Sequence, residues 1–512
     1  MLLGVQANFS LDEAQANLGV AAAQCSADRD AFVDTLLPSI TAFEIIGSDA
    51  FTSATGPLLE APISSDGLTT IPIPGGEGGT SNMLVQLSGP GIVASEGARS
   101  FSYSGGIFGA TDSRASFSII PRSAESGTPG NFSGFVIKDL SDEKDSSIAA
   151  SRNWYFYEPV KPLLARVLAA RPEASLPCSE SNLNDIFSDA DEFDNTSIIV
   201  YEVRDTEFDI DLDPYNVDEF LAGGTGEGEI ALDVQSAAQS DSGSFLTLNR
   251  QSNVNLIIVA DSKYVELMGG ATAAKNDIDA LMNILLNGNS LNFYEIFGAN
   301  VSISFVGSEI WETDTTPPNA KIMGTGPGAQ FNADGTIPNA YQLLCDFIEN
   351  VEHQDDLNNS IVHLFTGFDL AKFPKEPPSQ ARIVDSGDGI CPAGCGGDGR
   401  AIVGLAQGIG GVGNAGQNNC GEFPYNSIDK FNPAGYHSVS QHRPKTDLNG
   451  FNSKFDGTLL QRWVLVAHEI GHTFGALHAD DSSTKIKSVM NSSIDGQLNY
   501  YLNSVNAGEI NN

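Results

Sequence analysis

His468, His472 and His478 all fall within the stretch HEIGHTFGALH, in a chain of 512 residues that holds only 7 histidines. Residues four apart on a helix share one face, so the imidazoles of His468 and His472 can reach a single ion. Glu469 lies about 100° round such a helix, beside the ion and not on it. Gly475 follows three residues after His472, and glycine tolerates the positive φ with which helices end. The chain can then turn and carry His478 back towards the first two histidines. Three neutral imidazole nitrogens at ~2.0–2.1 Å leave one coordination position open for water, which is the pattern of a catalytic zinc site. A structural zinc site is usually closed by a fourth protein ligand, and the sequence offers none at ligand spacing. HExxH alone arises by chance, but the five fixed positions of HExxHxxGxxH coincide on the order of once in 10⁴ chains of this length.

Such a site needs a helix fixed in a core. LLQRWVLVAHEIGHTFG has that form: Trp463, Val466, Ile470 and Phe474 fall within about a third of the circumference. The back of the helix is therefore expected in the core, with the ligand face turned to a cleft. Upstream, VNLIIVAD is a short continuous apolar run and reads as a buried strand. DIDALMNILL carries Ile278, Leu281, Met282 and Leu285 at helical spacing. NVSISFVGSEIW, SIVHLFTG and AIVGLAQ read as strands and AYQLLCDFIENV as a helix, so residues 252–512 read as an α/β domain. Residues 1–240 differ. MLVQLSG, ASFSIIP, FSGFVIKD, NWYFYEPV and SIIVYEV are β-rich runs between turn residues, with one helix expected after Pro162 through LLARVLAA. IPIPGGEGGTS, residues 71–81, reads as a Pro/Gly-rich loop. The Gly/Ser/acidic stretch 222–244 reads as the linker between the two regions.

The formal net charge is −39. Such a surface repels phosphate backbones and anionic lipid, which excludes nucleic acid as a partner class. No run of about 18 apolar residues is present, so no transmembrane segment is expected. The opening MLLGVQANFS is apolar without a charged n-region and does not by itself establish a signal peptide. There are 6 cysteines. The pair Cys391 and Cys395 in CPAGC has no second CxxC to complete a metal site, which favours disulfides in an exported protein over a metal or redox motif. His353, His363, His437 and His442 have no ligand spacing and read as loop or sheet packing.

HEIGHTFGALH followed by SVMN resembles the metzincin zinc endopeptidases, and upstream stretches narrow the likeness to the adamalysin/reprolysin (ADAM-like) family. VNLIIVADSKYVE is similar to that family's opening strand and FYEIFGANVSISFVGSEIW to its second helix–strand unit. HLFTGFDLA is similar to its third strand and AIVGLAQ to its edge strand. FSYSGGIFGATDSRASFSII, FSGFVI and YFYEPV resemble its propeptide. The resemblance implies an α/β metzincin catalytic domain, with a twisted mixed sheet, one antiparallel edge strand and a long zinc-binding helix, preceded by a β-rich propeptide-like domain. It implies one catalytic Zn2+ held by His468, His472 and His478, with Glu469 as general base and Met490 in a Met-turn beneath the site. Gly404, Leu405, Ala406 and Gln407 are the implied edge against which an extended substrate lies. The implied activity is zinc-dependent hydrolysis of peptide bonds in proteins, by a secreted enzyme made as a latent proenzyme with its own propeptide as intramolecular inhibitor. The competing reading is a catalytically silent metzincin-fold binding protein; the intact Glu469 argues against it.

Several positions depart from the family pattern. Ala479 stands where Asp usually follows the third histidine, with Asp480 one place later. Asn255 stands where the family often carries a calcium-binding Glu, which weighs against Ca2+ as a second ion. No cysteine follows Cys420. For latency, Cys178 in LPCSES and Cys25 are the only thiols available to occupy the open zinc position, against the competing reading of a Cys25–Cys178 disulfide or a buried thiol. No paired-basic site marks the junction between the two regions; LNRQ offers Arg250 alone.

Overall fold

The computed structural model describes most of residues 40–137, and residues 154–170, 197–203, 210–211, 252–286, 301–312, 361–368, 404–406, 437–444, 457–474 and 489–490, with short pieces besides. Ten strands of the N-terminal region form one antiparallel sheet. They are β1 (Ile40–Ile46), β2 (Thr52–Ser53), β3 (Gly56–Pro57), β4 (Gly67–Gly75), β5 (Gly79–Ile92), β6 (Phe101–Ile107), β7 (Arg114–Ile120), β8 (Asn131–Ile137), β9 (Trp154–Pro159) and β10 (Ile198–Val203). Their spatial order is β1-β10-β9-β8-β7-β6-β5-β4-β2-β3.

Side chains alternate across a strand, and here both faces are put to use. Tyr155 and Tyr157 point into a cluster with Phe51, Phe117 and Phe132, whereas Trp154 and Phe156 point the other way. The first cluster is built on aromatic pairs such as Phe51–Phe132, with ring centroids 4.4 Å apart. The second is shared with the helices of the C-terminal region.

Residues 71–75 and 79–81, expected within a loop, instead lie in paired strands. β4 pairs with β5 from Gly67↔Leu87 to Gly75↔Gly79. Pro72 and Pro74 stand at i and i+2, so both nitrogens face one edge. β2 pairs only with Thr69 and Thr70, and no other strand takes that edge among the described residues. The missing N–H groups therefore cost the ladder nothing, and prolines are tolerated where a strand has a free side.

Helix α1 (Val160–Ala170) starts two residues before the expected Pro162. Proline belongs in a first turn, where its N–H would have no intrahelical acceptor. A two-stranded ladder joins β11 (Ile210–Asp211) to β17 (Ser493–Ile494), close to the C-terminal end of the chain.

The C-terminal region carries a five-stranded sheet of β12 (Ser252–Ala260), β13 (Val301–Ile310), β14 (Ile361–Thr366), β15 (Gly404–Ala406) and β16 (His437–Gln441), in the order β13-β12-β14-β16-β15. Four strands are parallel and β15 runs antiparallel at the edge, as the resemblance implied. Three helices lie against it: α2 (Ser262–Met268), α3 (Ala271–Leu286) and α4 (Leu459–Thr473). Of the expected helix AYQLLCDFIENV, Leu343, Leu344 and Phe347 are described, as helical and buried.

The sequence reading missed α2 and β16. α2 had a signal: Asp261 caps it by accepting from Tyr264 N–H at 2.7 Å, and it ends on Gly269 at φ 86°. β16, HSVSQ, had little, because Val439 is its only apolar residue. All five of its residues are nevertheless buried.

α3 contacts β13 of its own sheet and also β7 and β8 of the N-terminal sheet. β7 offers Ser116 and Ser118 on that face, and Asn283 of α3 donates to Ser118 Oγ at 3.0 Å and Ser100 Oγ at 3.4 Å. α4 contacts β15 and β16 and also β9. The helices are thus held between two sheets.

Candidate functional site

α4 is held by a chain of buried polar groups that fixes its own proton positions. Arg462 pairs with Asp277 of α3, which also accepts from Tyr264 Oη of α2. Burial pushes the Asp277 carboxyl up, but the Arg462 and Arg166 guanidiniums, with the hydrogen bonds from Arg462 and Tyr264, hold it below its ordinary value. Arg462 Nε–H donates to His442 Nδ1 at 2.8 Å. The His442 proton must then sit on Nε2, which lies 2.9 Å from Ser440 Oγ. Ser440 in turn donates to His363 Nε2 at 2.7 Å, and His363 Nδ1–H donates to Ser438 Oγ at 2.6 Å. Burial holds His363 and His437 neutral, with pKa pushed down to about 3. These histidines pack the sheet, as expected from their spacing; His353 lies outside the described residues. No local pattern marked the network, since Arg462 and Asp277 are 185 residues apart.

Two turns further along α4, His468 and His472 meet. Their Nε2 atoms are 3.0 Å apart and their rings are perpendicular, with centroids 4.5 Å apart. His468 Nδ1 is 2.8 Å from the carbonyl of Val489, and His472 Nδ1 is 2.7 Å from the carbonyl of Ala476. A carbonyl only accepts, so each ring carries its proton on Nδ1 and presents an Nε2 lone pair. Two lone pairs at 3.0 Å repel unless a cation lies between them. Ligand nitrogens on a tetrahedral zinc sit about 3.3 Å apart, from bonds of ~2.05 Å. The donor set therefore fits zinc, with the Nδ1–H···O=C bonds orienting the ligands from behind.

The helix end supports this arrangement. Ala476 N–H bonds to Gly471 O at 3.1 Å, the six-to-one closure of a Schellman turn, and so brings the Ala476 carbonyl under His472. Val489, which orients His468, immediately precedes Met490. A Cβ at Gly471 would collide with Met490 Sδ and lie 3.1 Å from its Cε. Met490 therefore sits against the helix between the two histidines, and a side chain at 471 would have to push its thioether aside. Glu469 is fully buried. A Cβ at Gly404 would collide with its Oε1 and lie 2.8 Å from Leu465 Cδ1. The edge strand β15 thus passes directly over Glu469.

One expectation is corrected by this burial. The ligand face of α4 does not look into an open cleft: His468 is 0% and His472 4% exposed. β15 on one side and the Val489–Met490 turn on the other cover it. His478, Gly475, Gln407, Ala479, Cys25 and Cys178 lie outside the described residues, and so does the segment 222–244. Among the described residues no group of three or more metal-ligating side chains is assembled. Asn255 is exposed on β12.

A two-histidine helix beneath an antiparallel edge strand, with a methionine packed against its glycine, is the arrangement that the likeness to the metzincins implied. Residues 399–512 match the family model of the M12B metallopeptidases, reprolysin-like, which supports an adamalysin/reprolysin metzincin family. Metallopeptidases of this family are zinc-dependent in general and act on proteins. No curated protein matches the chain. No described helix is long and apolar enough to cross a membrane.

Proposed function

We propose that this chain is a zinc-dependent endopeptidase of proteins, made as a latent proenzyme. The observation that carries the reading is the pair of Nε2 atoms, 3.0 Å apart, on a helix whose next residue after His468 is a buried carboxylate. His468 and His472 would hold the ion, with His478 as third ligand. When bound, zinc supplies Lewis-acid polarisation of the scissile carbonyl and acidifies a water. Glu469 accepts the proton of the attacking water and returns it to the leaving amine. Among the described residues β15 pairs on one side only, with Ser438–Ser440 of β16. Its other edge suits an extended peptide, which would lie across Gly404 and so across Glu469.

Gly404→Ala should displace the Glu469 carboxylate and lower turnover by about 10²-fold, the scale of a misplacement near 1 Å. The far-UV spectrum should be unchanged. Full activity in this variant would show that the strand does not constrain the base.

Latency is supported by β11. Ile210 and Asp211, which precede residues 222–244, pair with Ile494 and Ser493, four and three residues past Met490. A strand there competes for backbone groups that flank the metal helix. One assay tests both parts of the reading. Elemental analysis should find one zinc per chain, and hydrolysis of an unfolded protein substrate should stop on chelation and return with zinc. The same hydrolysis should rise when the chain is cut within 222–244. A metal-free chain, or hydrolysis indifferent to chelation, ends the zinc reading; equal rates before and after cutting end the latency reading.

A further inference from the structure

The first turn of α4 is finished by residues of the N-terminal region, Glu158 of β9, Tyr201 of β10 and Arg166 of α1. Thr458 is the N-cap and makes no side-chain capping hydrogen bond. Helix starts leave backbone N–H groups without partners. Here Leu459 N–H donates to Glu158 Oε1 at 3.1 Å and Tyr201 Oη at 3.0 Å. Tyr201 O–H itself donates to Glu158 Oε1 at 2.8 Å. Arg166 pairs with Glu158 Oε2, and its Nε–H donates to the carbonyl of Gly457 at 3.1 Å. Glu158 and Arg166 therefore grip the two peptide groups on either side of the cap. Arg166 and Tyr201 are fully buried and Glu158 is 3% exposed. Below this grip, Phe135 of β8 packs on Trp463 of α4 with ring centroids 5.9 Å apart.

A buried ion pair gains little stability over apolar residues of the same volume, and its best-attested use is to fix geometry. The geometry fixed here is the axial position of α4. His468 is nine residues along from Leu459, about 13.5 Å at 1.5 Å per residue, and a helix of this length moves as a rod. The described contacts of the N-terminal sheet with α4 lie at Leu459 and Trp463. His468, His472 and Glu469 instead meet Val489, Ala476 and Gly404. The grip thus holds the helix without itself occupying the metal end.

We propose that Glu158 and Arg166 are positioning residues for the metal centre, and that the N-terminal sheet stays bound to α4 after any cut in residues 222–244. This rests on the zinc reading above. The test uses the full chain with cobalt(II) in place of zinc, and the same chain carrying an inserted protease site within 222–244. Glu158→Ala should alter the visible cobalt spectrum and weaken zinc binding by about tenfold or more, the scale of losses behind a metal ligand. Glu158→Gln keeps the oxygen that accepts from Leu459 and should restore both. The cut halves should elute together with zinc affinity unchanged. A folded Glu158→Ala chain with the parental spectrum and affinity overturns the proposal. So does separation of the halves with zinc retained at full affinity by the C-terminal one, a result that decides the matter even if Glu158→Ala fails to fold. Failure of the unmutated chain to bind zinc would instead sink the metal reading itself.

Discussion

Glu469→Gln should leave zinc uptake intact and lower peptide hydrolysis by about 10²–10⁴-fold, the range that a positioned general base contributes. The substitution is nearly isosteric, so it respects the close approach of Gly404 and Leu465 to this side chain. It removes the one property that the chemistry needs, a carboxylate able to take a proton. His468 and His472 keep their own second partners, the carbonyls of Val489 and Ala476, so the metal should stay. A variant with parental turnover would strip Glu469 of its role. A variant that lost zinc would place the carboxylate among the ligands.

The largest expected loss of stability comes from Asp277→Ala, about 3–5 kcal/mol, the scale for leaving a buried charge without its partner. Asp277 is 17% and Arg462 1% exposed. Burial disfavours the Arg462 cation, but Asp277, together with Tyr264 and Glu158, more than offsets this and raises its pKa above the ordinary value. Remove the carboxylate and the guanidinium stays charged in the core, still bonded to His442 Nδ1. Tyr264 loses its acceptor as well. Chemical denaturation of the full chain reads the effect. The double variant Asp277→Leu with Arg462→Met should recover most of it, because no charge is then stranded. If the single variant is as stable as the parent, water must solvate Arg462, and the network does not lock α4.

Legibility differed from residue to residue. His468, Glu469 and His472 were visible because four-residue spacing on a helix is a local property, and Trp463, Val466 and Ile470 marked the same helix by period. All six lie inside α4, and the face that carries the histidines proved as buried as the back. The antiparallel edge at Gly404–Ala406 was legible only through family likeness; nothing in GLA states the direction of a strand. The hairpin at Pro72 and Pro74 was misread because proline and glycine signal turns locally, while their tolerance depends on which edge a neighbouring strand covers. β16 was missed because a buried polar strand is paid for by partners elsewhere, here the serines bonded to His363 and His442.

The sequence by itself determined the helix, the pair of imidazoles that share its face, the carboxylate beside them and the two-period strands on either side of residues 222–244. These follow from backbone geometry, in which spacing along the chain fixes direction in space. Only the tertiary structure decided that Glu158 caps Leu459 from 301 residues away, that Arg462 reaches Asp277 across 185 residues and that Gly404 lies over Glu469. Those meetings depend on how layers stack, and the energy that selects them comes from burying apolar faces whose partners no local pattern names.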